Sequence, residues 1–166
     1  MSRRAAAAVV VATATERRII DTLSPILPAA AAAYEQCVFD LGGSPRRSYR
    51  GVAHELREVL RETLDYLAPD ADVMAESGFR LEHGTTRPTQ RQKALYVLRK
   101  RKLPREAIAA PDLAVSMVEE LGAAITRSAY TRGSISAHVT TSSAEVRQLK
   151  MYVDAVLAEL LVIYAE

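Results

Sequence analysis

The chain has 166 residues, 49% of them hydrophobic and 25% charged, with a formal net charge of +2. That balance excludes a disordered or collagen-like polymer and leaves length for a sizeable core, so a single helical domain over 1–166 is expected. A total charge this close to zero carries no information about an anionic partner, and the local pattern of charge has to be read instead.

Only 7 Gly, 7 Pro and 2 Phe among abundant Ala and Leu favour helix. The one cysteine, Cys37, can form neither an intramolecular disulfide nor a cysteine-based metal site, which fits a reducing, cytoplasmic setting. No segment alternates with the period of two that a half-buried strand requires. Met1 to Arg4 and the Ala/Val run to Ala14 have the outline of a signal peptide. However, Glu16-Arg17-Arg18 follows at once, and the run is too short to cross a bilayer. It reads as a helix from about Arg3 to Ile20, an accessory or dimerisation element over 1–20, ended by a break from Asp21 to Pro28.

Pro25 or Pro28 can open a second helix that Gly42-Gly43 stops near Leu41. A third runs from about Arg46 to Leu67, with Tyr49, Val52, Ala53, Leu56, Leu60, Leu64 and Leu67 at helical spacing. Asp72 to Thr89 is polar and irregular, with room for one turn of helix near Val73. Thr89 can cap a fourth helix that reaches Lys102. Pro104 opens a short turn, and Pro111-Asp112 starts a fifth helix towards Tyr130. The last helix has the clearest start, Ser142 with Glu145 in capping-box form ahead of Val146, Leu149, Val153, Val156, Leu157, Leu160 and Leu161. The fold class is therefore all-α, a bundle of five to six helices with no membrane span.

Chemistry concentrates in three places. The first is the polar hinge Tyr130-Thr131-Arg132-Gly133-Ser134-Ile135-Ser136-Ala137-His138, just ahead of the last helix. A guanidinium forks onto phosphate, and imidazole moves protons near neutral pH, so Arg132 and His138 together suit cleavage of a phosphodiester without a metal. Ser134 and Ser136 are candidate polar helpers. In a chain this rich in arginine, such spacing also arises by chance, and an ordinary polar loop is the competing reading.

The second is the block from Arg87 to Arg105, which holds eight basic residues and no acidic one. Arg87, Arg91, Lys93, Arg99, Lys100, Arg101 and Lys102 are the candidate nucleic-acid contacts, with Tyr96 one turn earlier as a stacking surface for a base. RNA, single-stranded DNA or an acidic protein all satisfy such a block. The third is a stripe of Arg50, His54, Arg57 and Arg61, which project within about 60° of one another on an ideal helix. It lies beside Glu58, Glu62 and Asp65, a pattern that usually marks a solvated ion-pair face. Asp65, Asp70, Asp72 and Glu76 have no companion histidines at metal-ligand spacing, and no phosphate-binding glycine loop or dinucleotide fingerprint occurs, so no metal and no cofactor is expected.

An Arg-x5-His motif at the start of the last helix of a small all-α domain resembles the HEPN superfamily. The wider text resembles the bacterial family of predicted pPIWI-associating nucleases. The matching words are Tyr49-Arg50-Gly51, Leu56 through Asp65 with Leu67-Ala68-Pro69-Asp70, Pro88 through Lys93, and Tyr130 through His138, over roughly residues 30 to 166. The resemblance implies a HEPN-like metal-independent endoribonuclease of a bacterial defence or toxin–antitoxin module. It further implies a homodimer whose two Arg132/His138 pairs share one RNA cleft, with a defence effector protein as a further partner. Arg132 would hold the phosphate and His138 would handle protons around the 2′-hydroxyl. Gly133 departs from the pattern, because active HEPN domains often carry Asn, Asp or His after the arginine. The alternative is a non-catalytic helical subunit that binds nucleic acid or a larger effector through the basic helix within 87–105.

Overall fold

A computed structural model describes residues 10–43, 45–133 and 142–163, the last turn and a half of the long sixth helix (128–133) as backbone only. Among the described residues there are seven helices and no strand: α1 (Ala14–Leu23), α2 (Pro28–Gly42), α3 (Arg50–Leu67), α4 (Asp70–Met74), α5 (Gln90–Lys100), α6 (Arg105–Gly133) and α7 (Ser143–Leu160).

Three helix starts are written the same way. Thr13, Thr89 and Ser142 each accept from the backbone N–H three residues on, and the Glu16, Gln92 or Glu145 side chain accepts from the cap's own N–H. Each box satisfies two donors that a helix end otherwise leaves unpaired. The first box corrects the expectation of a helix from Arg3: residues 10–13 are not helical, and α1 begins after Thr13. The expected start at Arg46 is likewise too early, since α3 begins at Arg50. Pro111 does not open a helix but lies inside α6, which runs unbroken from Arg105. Proline lacks an N–H and interrupts the ladder without ending the helix.

α7 lies against α6, α3 and α1, and α2 covers α3 and α1, while α5 packs on α6 and α3. Leu56, Leu60 and Leu64 of α3, Leu149, Val153 and Leu157 of α7, and Val115 and Val118 of α6 meet with almost no exposed surface. Trimming one such leucine to alanine costs about 2–5 kcal/mol. Two arginines close helix ends electrostatically. Arg147 donates to the Leu41 carbonyl at the end of α2, and Arg101 donates to the Glu159 and Leu160 carbonyls at the end of α7. Cations are favoured there because unpaired carbonyls concentrate negative charge.

One polar cluster sits inside the bundle. Lys150 Nζ lies 2.5 Å from Glu16 Oε1 and 2.5 Å from Asp154 Oδ2, and the Tyr34 hydroxyl donates to Asp154 Oδ1 at 2.6 Å. The ammonium also stands 5.3 Å from the centre of the Tyr34 ring. Burial drives the Asp154 carboxyl above its ordinary range despite Lys150 and Tyr34. Burial alone would also raise Glu16, but hydrogen bonds from Lys150 and Thr13 outweigh it and hold that carboxyl low. The cluster ties α1 to α2 and α7.

Candidate nucleic-acid interface

α5 carries the basic block, and its amphipathic pattern decides which cations stay outside. Ala94, Tyr96, Val97 and Leu98 face inward, and Lys93 goes with them at 4% exposure. Its Nζ is 2.5 Å from Asp65 Oδ1 on α3 and 2.6 Å from Asp70 Oδ1 at the start of α4. The second contact is an ion pair off the hydrogen-bond line. Arg87 Nε adds 2.5 Å to Asp70 Oδ2, and Arg61 Nη1 adds 2.9 Å to Asp65 Oδ2. The Arg87 hydrogen bond, then the Lys93 ammonium beside it, holds the Asp70 carboxyl below its usual range. Lys93 therefore fastens α3, α4 and α5 together and presents no ammonium at the surface. Its spacing to Tyr96 and Val97, three and four residues on, was the available sign that it faces inward.

The other basic residues separate by partner. Arg91 forks onto Asp112 of α6, Nε to Oδ1 at 2.6 Å and Nη2 to Oδ2 at 2.9 Å, which uses two of its five N–H donors. Arg101 is occupied by the carbonyls ending α7. Tyr96 is 5% exposed and lies under Lys100, whose Nζ is 4.8 Å from the ring centre. As placed, it offers no face to a base. Arg99, Lys100, Lys102 and Arg105 are exposed and have no acidic partner among the described residues. They form the solvent-facing cationic cluster where α5 turns into α6. Lys102 closes that turn at φ 55°, and its N–H donates to the Arg99 carbonyl at 2.8 Å.

The stripe on α3 divides as well. Arg61 is held by Glu58 at 2.7 Å and by Asp65, an ion-paired face. Arg57 lies across Gly122 of α6, where an added Cβ would stand 2.7 Å from Arg57 Cδ. Arg50 and His54 are exposed.

Arg132 falls in the last turn of α6, and Ser134, Ser136 and His138 lie outside the described residues. At 1.5 Å per residue, about 40 Å of helix separates Arg105 from Arg132 within one chain. The cationic cluster and the hinge therefore occupy opposite ends of α6. Among the described residues no group of three or more His, Cys, Asp or Glu side chains could hold a metal ion, and no helix is long and apolar enough to cross a membrane.

The family of predicted pPIWI-associating nucleases matches residues 23–158. The chain belongs to that family. No curated protein and no solved structure matches it. The match spans α2 to most of α7 and leaves Glu16 of α1, one of the two carboxylates on Lys150, outside it. Within it, two of the words that carry the resemblance, Leu56 to Asp70 and Pro88 to Lys93, are the segments that meet at Lys93, Asp65 and Asp70. In this family member that junction fixes where α5 and its exposed end sit on the bundle.

Proposed function

We propose that this chain is a metal-independent endoribonuclease of HEPN type, a cytoplasmic component of a bacterial defence or toxin module that works beside an effector protein. Its substrate is RNA, drawn in by Arg99, Lys100, Lys102 and Arg105. The observation that carries the reading is this cluster of four exposed cations without acidic partners among the described residues, in a family named for a nuclease. In the reaction, the ribose 2′-oxygen attacks phosphorus and the bond from phosphorus to the 5′-oxygen breaks. The proton leaves the 2′-hydroxyl and returns to the 5′-oxygen. His138 carries the proton, Arg132 steadies charge on the phosphoryl oxygens, and Ser134 or Ser136 assists.

The distance along α6 supports a homodimer. Leu113 and Ala124 are exposed on α6, Leu113 at 63%, and Met117 and Leu121 between them are half-buried. Leu113 and Ala124 are symmetric about a point between residues 118 and 119. A second copy packed antiparallel about that point would set Leu113 against Ala124, with Met117 and Leu121 one residue out of register with each other. The same register brings Arg105 of one copy opposite Arg132 of the other, joining the cationic cluster to the hinge. Leu113→Glu should leave the fold intact and convert dimer to monomer in sedimentation.

The deciding test is cleavage of single-stranded RNA by the purified protein in EDTA, beside His138→Ala. Cleavage that survives chelation, stops in the mutant and stops when the substrate is 2′-deoxy supports the enzyme. Gly133 after Arg132, and the separation of hinge from cations in one chain, favour the second reading, a non-catalytic nucleic-acid-binding subunit. RNA binding with no cleavage, alone or with the effector, would establish it.

A further inference from the structure

The segment between α4 and α5 is built as a wall. Gly78 turns the chain at φ +78°, with nothing near the position a Cβ would take, so the glycine serves the turn alone. Gln92 Nε2 donates to the Arg80 carbonyl at 2.7 Å, and Thr89 Oγ1 donates to Glu82 Oε1 at 3.1 Å. The residues that cap α5 therefore also pin this wall to it. Between wall and helix lies a cleft of 550 Å³, within the size range of small-molecule sites.

Its lining combines three chemistries. Arg80 and Arg99 are exposed with no acidic partner among the described residues, and Arg91 keeps three N–H donors beyond its fork to Asp112. Glu76 and Glu82 supply carboxylates on the wall side. Phe79 and Leu95, both half-buried, give apolar surface. A bare anion would use the arginines but be repelled by the carboxylates. A hydrophobic ligand would use neither. A nucleotide carries a phosphate for guanidinium, a flat base for the apolar surface and, in cytosine, adenine or guanine, an amino group for a carboxylate.

We propose that this cleft holds one unpaired nucleotide of a single strand, with its phosphate on Arg80 and Arg99 and the amino edge of its base on Glu76 or Glu82. The cleft adjoins the cationic cluster through Arg99, so the strand would run from one to the other. This inference rests on the reading of the chain as a nucleic-acid-processing protein and adds base preference to it. Uracil has a carbonyl where cytosine has its amino group and is rejected, because two oxygens then face each other without a proton between them.

The test is fluorescence anisotropy of the full chain with labelled oligodeoxycytidine and oligodeoxyuridine of equal length, strands that offer no 2′-hydroxyl for cleavage. The expected result is about tenfold tighter binding of the cytidine strand. Glu76→Ala/Glu82→Ala should abolish that preference while cytidine and uridine strands still bind. Arg80→Ala/Arg99→Ala should weaken both strands, and circular dichroism checks that each variant is folded. Equal affinity of the native chain for the two strands would overturn the cleft proposal and leave the ribonuclease reading standing. Base preference without RNA cleavage would do the reverse. Binding of neither strand overturns the cleft.

Discussion

Replacing Lys150 by methionine removes one ammonium from the bundle and keeps most of its stem volume. Glu16 and Asp154, 14% and 22% exposed, then face each other with no other ion pair among the described residues. Breaking a buried pair on one side costs about 3–5 kcal/mol, and the residual exposure places this case at the lower end, about 3 kcal/mol. For a chain of this size that corresponds to a fall in melting temperature of about 6–12 °C. Urea and thermal unfolding followed by circular dichroism measure it. In a Glu16→Gln/Asp154→Asn background the same replacement strands no charge, so its effect should drop below about 1 kcal/mol. An equal loss in both backgrounds would refute the electrostatic account and assign the effect to packing of the stem.

Asp70 has a folded pKa below its ordinary 3.8, chiefly because of Arg87. Its stabilisation is therefore present above that value and lost as pH falls through the lower folded pKa. Arg87→Ala should move this acid loss to higher pH in urea midpoints measured between neutral and strongly acid conditions. Burial pushes the Cys37 thiol up to about 12, with Glu55 and Asp40 adding to it, so a disulfide reagent at mildly alkaline pH should label it only after denaturant is added. Changing Lys100, Lys102 and Arg105 together to glutamine should reduce the slope of log affinity for single-stranded RNA against log salt by about 2. An unchanged slope would remove these residues from the interface.

The helices were legible because their signals are local. Ser142 with Glu145, the Thr89 cap and the leucine spacing of α3 act within one turn, and each sits where the structure has it. The same local logic could have found Thr13 with Glu16, but the alanine-rich run before it reads as helix on propensity alone. Pro111 misled in the opposite sense: it suggests a start, and the packing of Ala114, Val115 and Val118 carries α6 through it.

The fate of each cation was not local. Arg87, Arg91, Lys93 and Arg101 find their partners 17, 21, 28 and 58 residues away. A run of eight basic residues therefore looks uniform as text but becomes one buried tie, two surface ion pairs, one helix-end contact and four solvent-facing charges. Chain composition and periodicity set where the helices lie, since those depend on neighbours within a turn. Which charges remain for a ligand depends on which acids and carbonyls the packing of α3, α4, α6 and α7 brings beside α5. Only the folded arrangement fixes that, because a charge is available in proportion to what stands next to it in space.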